Sequence, residues 1–308
     1  MKILVQSSGI DVVPGIIAEL RRHRPQWSFV AWPSDERCDY LVCWKPPAEL
    51  FARQPALRAV INYGAGVDAL LAMNVVPDGL PIIRLEDAGM AQQMAEYALY
   101  GVLHHHRKFG RYAVQQRTRH WQQWEDRASS FRPTVGVMGL GEMGGTVAGR
   151  IAAFGYTTLG WARSRHAIDG VECFAGQDGL APFLARCNVL VSMLPLTADT
   201  RGLIDGALLA RLPMGAFLIN AGRGDQLHDV DVLAALDSGR LAGAMLDVFH
   251  TEPLPAHHRF WSHPNVIVTP HIAATTPIRD ACEQIVTKID SLARGEPVSG
   301  IVDRVRGY

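Results

Sequence analysis

The sequence predicts an α/β protein with two layers of parallel strands, and three observations carry that expectation. Short apolar runs alternate with helical segments along the chain, as expected of parallel strands joined by crossover helices. The alternation comes in two series, separated by a long helical stretch near residue 100. A chain of 308 residues, 48% apolar, can fill about two domains with a core in each.

The first series reads as strand "KILVQ", helix "IIAELRRH", strand "YLVCW", strand and turn "LRAVINYGAGVD", and strand "PIIRL". From Met90 to about Trp124 the spacing predicts one long helix, with Met94, Ala95, Ala98, Leu99 and Val102 on a single face. The polar run "EDRASSFRP" closes it. The second series takes its strands from "TVGVMGL", "TTLGWA", "VLVSMLP", "GAFLINAG", "LAGAMLDVF" and "VIVTPHIAA", with helices between. A last helix, "PIRDACEQIVTKIDSLARG", ends at Gly295, which suits a C-terminal cap.

Composition narrows the function. Thirty basic residues balance thirty acidic ones, so no net field favours nucleic acid or an anionic membrane. Any anion site must be local. Five cysteines, odd in number and without CxxC spacing, argue against a disulfide framework or a structural zinc site and fit a reducing cytosol. "MKILVQ" opens as a strand without a leader, and no run reaches the roughly 18 apolar residues of a membrane span, so a cytoplasmic protein is expected. His104, His105 and His106 point about 100° apart on a helix and cannot share one ion, so no metal is expected and a solvated or interface face is the reading.

"GLGEMGG" puts Gly139, Gly141 and Gly144 in GxGxxG spacing after a β-branched strand and before the helical run "TVAGRIAAFG". The first glycine permits a tight turn, the second lets backbone approach a pyrophosphate, and the third lets helix pack on strand. With Leu140, Glu142 and Met143 between them, and with strand before and helix after, these residues read as a dinucleotide turn, the alternative being a merely glycine-rich turn. About 20 residues on, where an NAD site carries an acid, stands "WARSR". Arg163 and Arg165 favour the 2'-phosphate of NADP, with Ser164 as a hydroxyl donor, so NADPH is preferred and NADH is second choice. A solvated basic loop is the duller alternative. "MLPLT" ends another strand at Pro195, either at a ligand crevice or in an ordinary strand-to-helix turn.

Three late segments put polar residues at strand ends: "NAGRGD" with Arg223, "DVFHTEPLP" with Asp247 and Glu252, and "TPHIAA" with His271. Taken singly, each could be a surface arginine, a loop acid or a capping histidine. Together with "NYGAGVD", "GLGEMG" and "LPLT", in this order and spacing, they make the chain resemble the NAD(P)-dependent D-2-hydroxyacid dehydrogenases over essentially its whole length. "DYLVCWKPP", "QMAEYAL" and the tail "VDRVRGY" are most similar to that family's glyoxylate/hydroxypyruvate reductase A branch.

The resemblance implies two Rossmann-like or flavodoxin-like parallel-sheet domains with an active-site cleft between them. Residues 1–98 plus 275–308 would bind substrate, and 99–274 the dinucleotide. Arg223 would hold the substrate carboxylate and polarise the carbonyl, His271 would be the acid/base, and Glu252 its partner. A carboxylate beside an imidazole favours the protonated ring, keeping a proton donor loaded. Backbone N–H groups of Ala65 and Gly66 would meet the carboxylate, although a tight turn alone also uses glycines. Trp44 would wall the site, with charge support from Lys45. Leu194, Pro195, Thr200, Ala221, Gly222, Arg223, Asp247, His271 and Ala273 would join the cofactor site.

The expected reaction is reduction of a small 2-keto acid, glyoxylate or hydroxypyruvate, with domain closure expelling water before hydride transfer. The long helix resembles the family's dimerisation arm, so a homodimer is expected. The alternatives are a dehydrogenase for phosphoglycerate, which would call for more cations than Lys45 and Arg84, the two that the sequence offers, or for a bulkier hydroxy acid, and a nucleotide-sensing protein on the same scaffold.

Overall fold

The computed structural model describes residues 1–8, 11–123 and 132–308. Residues 1–90 and 276–308 make one compact unit, and 91–275 a second.

In the first unit, β1 (Lys2–Ser7), β2 (Ser28–Ala31), β3 (Tyr40–Trp44), β4 (Ala59–Asn62) and β5 (Ile82–Arg84) form a parallel sheet in the order β2-β1-β3-β4-β5. This is the flavodoxin-like doubly wound order. Helices α1 (Val13–His23), α2 (Glu49–Arg53) and α3 (Asp68–Ala72) lie along the chain between strands. The sequence reading missed β2, because "SFVA" is four residues long and exposed at both ends, which hides it as an apolar run.

The second unit begins with α4 (Met90–His106) and α5 (Phe109–Thr118), where the sequence predicted one helix running to about Trp124. The helix breaks because Lys108 takes a left-handed backbone, φ 55°. Gly110 tolerates the tight turn: a Cβ there would lie 3.1 Å from His104 Nε2. The expected apolar face of α4 is present, with Ala95, Ala98 and Val102 buried and Met94 and Leu99 packed beside them. The histidines on α4, expected on a solvated or interface face, are half-buried. The His105 ring stacks on Phe217 at 5.0 Å, and burial pushes its pKa down to about 4. His106 Nδ1 meets the Tyr156 hydroxyl at 2.9 Å. His104 and His105 pack on Phe217 of the sheet, and His106 packs on Tyr156. Of "EDRASSFRP", only Arg132 and Pro133 fall within the described residues.

The remaining elements are β6 (Val135–Met138), α6 (Glu142–Ala153), β7 (Thr158–Ala162), β8 (Val171–Ala175), α7 (Gly176–Leu184), β9 (Val189–Ser192), α8 (Gly206–Leu209), β10 (Ala216–Asn220), α9 (Asp229–Asp237), β11 (Leu241–Leu246) and β12 (Val266–Val268). The seven strands are parallel in the order β12-β11-β10-β9-β6-β7-β8. Successive side chains alternate faces. Met138, Leu190, Leu218 and Leu246 therefore pack with α7, α8 and α9. Val137, Val191, Ile219 and Met245 pack on the other face with α4 and α6. Both faces are covered, which is why the strands read as unbroken apolar runs. The edge strand β8 was missed because a glutamate interrupts "VECFA".

The chain returns to the first unit as α10 (Ile278–Arg294), capped by left-handed Gly295, φ 72°. Its buried face, Ala281, Cys282, Ile285, Val286 and Ile289, packs beside α1. Lys288 is buried with them and donates to the Ser299 carbonyl at 2.7 Å and to Glu86 at 3.1 Å. Burial raises the Glu86 pKa, but hydrogen bonds from Ser299 and Lys288 and the charges of Lys288 and Arg84 outweigh it and leave it lowered. The tail then lies antiparallel against β5: Arg84 N–H donates to the Gly300 carbonyl and Val302 N–H to that of Ile82, both at 2.9 Å. This covers an otherwise open sheet edge. Arg304 fastens the tail by donating to the carbonyls of Val76, Pro77 and Leu80 at 3.1, 2.9 and 2.7 Å.

Candidate active site

Strand order gathers the second unit's polar residues. β12, β11, β10, β9, β6 and β7 are consecutive neighbours, and all are parallel. Whatever follows each strand therefore emerges at one carboxyl edge. The segments after them begin at Thr269, Asp247, Ala221, Met193, Gly139 and Arg163. The chain reverses its order across the sheet between β6 and β9, the switch point where open α/β sheets leave a crevice.

At the turn after β6, Gly139 has φ +100°, a conformation few other residues adopt. A Cβ on Gly144 would lie 1.8 Å from the Gly139 carbonyl oxygen, so α6 can rest on the strand only with glycine there. A Cβ on Gly141 would meet nothing within 4 Å, which leaves the space before the helix N-terminus open. Gly141 is the extended N-cap of α6, with Glu142 in the first turn and Met143 after it. Leu140 turns inward to the core. Arg163, Ser164 and Arg165 follow β7 directly and are all exposed. Ser164 Oγ lies 3.4 Å from His166 Nε2.

The segment after β10 is clamped. Arg223 N–H donates to Gln226 Oε1 at 3.2 Å, and Asn220 Nδ2 donates to the Arg223 carbonyl at 3.1 Å. The guanidinium donates to the Gly222 carbonyl at 2.8 Å. Asn220 and Gln226 are both wholly buried, and the sequence reading missed them. The available signal was two amides flanking Arg223 in "NAGRGDQ" at the end of an apolar strand, since buried amides need partners. Thr200 accepts a hydrogen bond from Thr197 N–H at 2.8 Å and donates to the Pro195 carbonyl at 2.7 Å, closing the turn after β9. Leu194, Ala221 and Ala273 bury their side chains in the two cores.

His271 Nδ1 lies 2.8 Å from Glu252 Oε2, with side chains 47% and 36% exposed, so the pair is open to a ligand. Burial raises the Glu252 pKa, but hydrogen bonds from His271 and the Phe249 N–H, with the charges of His271 and Arg223, outweigh it and leave the pKa lowered. Glu252 is therefore a carboxylate throughout the neutral range. The His271 backbone is left-handed, φ 56°. It is held there because His271 N–H donates to the Asp247 carbonyl at 2.9 Å, while the buried Asp247 carboxylate accepts from Ile272 N–H, Ala273 N–H and the Thr269 hydroxyl at 2.8, 2.8 and 2.7 Å. Tyr97 extends this network through a 2.7 Å hydrogen bond to Thr269.

The first unit carries its own group of candidates. Trp44 ends β3, and its ring covers Gly64, where a Cβ would lie 2.8 Å from the indole. Lys45 is exposed and left-handed, φ 47°, with Nζ 5.9 Å from the Trp44 ring centroid. Asn62, also missed in the sequence, donates to the carbonyls of Gly64 and Gly66 at 2.9 and 3.0 Å and so shapes the turn that holds Ala65. Among the described residues no helix is long and apolar enough to cross a membrane.

Residues 99–273 match the family model described as D-isomer specific 2-hydroxyacid dehydrogenase, NAD binding domain. The chain is 44% identical over 300 residues to the glyoxylate/hydroxypyruvate reductase A of Serratia proteamaculans, covering 95% of each protein. It superposes with TM-score 0.94 and 41% identity on a D-isomer specific 2-hydroxyacid dehydrogenase from Xanthobacter autotrophicus in complex with NADPH and MES, covering 99% of both chains. An NADPH-dependent glyoxylate/hydroxypyruvate reductase from Sinorhizobium meliloti, in complex with NADP and sulfate, matches with TM-score 0.91 and 36% identity over 100% of this chain and 99% of that one.

Proposed function

The chain belongs to the D-isomer specific 2-hydroxyacid dehydrogenase family, and on that premise we propose that it is an NADPH-dependent reductase of small 2-keto acids, glyoxylate and hydroxypyruvate, yielding glycolate and D-glycerate. The observation that carries this reading is the exposed His271–Glu252 pair, whose carboxylate also feels the charge of Arg223. Keto-acid reduction asks for a cation on the carboxylate and a proton for the developing alkoxide. Arg223 supplies the first and His271 the second, with Glu252 holding the imidazole. Ala65 and Gly66 offer backbone N–H groups to the carboxylate, Trp44 limits substrate bulk, and Lys45 adds positive potential. The first unit takes the substrate and the second the cofactor, with the boundary near residue 90 in place of the 98 expected from the sequence.

The residues fit a dinucleotide. The open space at Gly141, beside the collision a Cβ at Gly144 would meet, is a cradle for pyrophosphate. Gly139 to Gly144 would hold the phosphates, Arg163, Ser164 and Arg165 the 2'-phosphate, and backbone around Leu194, Pro195, Ala221, Gly222, Asp247 and Ala273 the nicotinamide half, with Thr200 fixing the turn. Bound there, the reduced nicotinamide supplies hydride. The NADPH and NADP named for the two solved relatives support this preference.

With hydroxypyruvate and NADPH, chiral analysis is expected to find D-glycerate; L-glycerate, or no turnover, overturns the reading. For the cofactor, Arg163→Ala combined with Arg165→Ala is expected to cut kcat/KM for NADPH about 100-fold while leaving NADH nearly unchanged. An equal loss with both cofactors contradicts the 2'-phosphate role.

The assembly proposed is a homodimer. Support comes from α5, which buries none of its residues and exposes Phe109 and Tyr112, three positions apart on one face. Such an apolar helix face suits a second copy of the chain. Light scattering is expected to give twice 33.8 kDa, and a monomer overturns this assignment. The cytosol is the proposed location, supported by five free thiols.

A further inference from the structure

We propose that Gln226 is a positioning residue for the reaction: its carboxamide fixes the Arg223 backbone against the Leu194–Pro195 turn, so one buried group that touches neither ligand sets both sites. The proposal rests on the functional reading above and deepens it.

Gln226 has no exposed surface, and both ends of its amide are used fully. Oε1 accepts from Arg223 N–H at 3.2 Å and from the Ser192 hydroxyl at 3.3 Å. Nε2 donates to the carbonyls of Leu194 at 2.8 Å and Pro195 at 3.0 Å. An amide offers two donors and one doubly accepting oxygen, so this network leaves nothing unpaired. The reversed amide would set its NH2 against the Arg223 N–H and its oxygen against two carbonyls, so the partners dictate its orientation.

A purely local role would need less. In the short 3-10 turn Gly224–Gln226, the bond to Arg223 N–H already completes a cap. The other bonds reach residues more than 30 positions away, at and just beyond the end of β9. Those partners hold β9's exit segment, proposed for cofactor, to β10's exit segment, proposed for substrate. The neighbouring glycine serves the same joint: a Cβ on Gly222 would lie 2.6 Å from Gln226 Oε1 and 3.0 Å from the Leu194 carbonyl oxygen. Loss of the amide frees Arg223 N–H and two buried carbonyls together, and the two segments must shift to find other partners.

The test is Gln226→Met, which keeps length and removes all four bonds. Three quantities are measured on folded protein: NADPH affinity by fluorescence titration without keto acid, kcat and KM for glyoxylate, and the thermal midpoint. NADPH Kd is expected to rise about fivefold. kcat/KM for glyoxylate is expected to fall about 100-fold, with KM rising and kcat falling, because the guanidinium is displaced rather than deleted. Should Gln226→Met not fold, Gln226→Asn keeps the carboxamide one methylene short, and the same joint change is expected. A variant with a lower thermal midpoint but wild-type NADPH affinity and wild-type kcat and KM shows a structural amide only, and overturns the proposal. Inactivity of the wild type toward every 2-keto acid would instead defeat the functional reading. The NADPH titration would then still decide whether Gln226 sets the cofactor segment.

Discussion

His271→Asn is expected to lower kcat for glyoxylate reduction by about 1,000-fold, the scale of a positioned general acid, and to leave NADPH affinity and the thermal midpoint close to wild type. The substitution isolates the chemistry because of the backbone at this position. His271 is left-handed, φ 56°, and asparagine is among the few residues that accept that conformation. The bonds that hold it there come from its own N–H and from Asp247, not from the imidazole. What disappears is the ring nitrogen proposed to deliver the proton and the 2.8 Å bond to Glu252. Alanine would add backbone strain to the loss of chemistry and blur the reading. A histidine that served only to cap or pack would leave kcat unchanged, and steady-state kinetics beside a melting curve separates the two cases.

Arg223→Gln is expected to lower kcat/KM for glyoxylate by about 1,000-fold, with KM rising and kcat falling, because in the proposed site one guanidinium both binds the carboxylate and stabilises developing charge on the carbonyl oxygen. Its frame survives the change, since Asn220 and Gln226 hold the backbone of residue 223 through its carbonyl and N–H. Arg223→Lys keeps the charge but loses the planar fork, and is expected to recover only part of the activity. A simple aldehyde with no carboxylate loses much less than glyoxylate does in the glutamine variant. Equal losses for both substrates would mean that the arginine does not read the carboxylate.

Much of this is legible in the amino-acid sequence. "GLGEMGG" between an apolar strand and a helix announces its own geometry, because glycine is required wherever φ is positive or backbone crowds backbone, and the structure has Gly139 at φ +100° and Gly144 against the Gly139 carbonyl. The β strands of the second unit were visible as apolar runs because both faces of the sheet are covered. His271 and Glu252 could be paired only through family order; 19 residues separate them, and nothing in local spacing implies a 2.8 Å contact. Short or interrupted strands such as β2 and β8 escaped, since edge strands carry too few buried side chains to form a pattern. The break at Lys108 escaped for a different reason: "RKFG" holds no proline, and its left-handed residue is a lysine. His105 looked polar and proved to be a ring stacked on Phe217, a tertiary contact that sequence spacing does not encode. Asn220 and Gln226 were hidden in plain view, because an amide's importance lies in what it bonds across the sheet.

The central claim is that this chain reduces small 2-keto acids with NADPH, and initial rates on the wild-type protein test it most directly. Glyoxylate and hydroxypyruvate are each supplied with NADPH and, separately, with NADH, and nucleotide oxidation is followed by absorbance. Saturable turnover of both keto acids is expected, with kcat/KM at least about tenfold higher for NADPH, as a charge-assisted 2'-phosphate contact implies. No oxidation of NADPH with either keto acid, or a preference for NADH, would contradict the account.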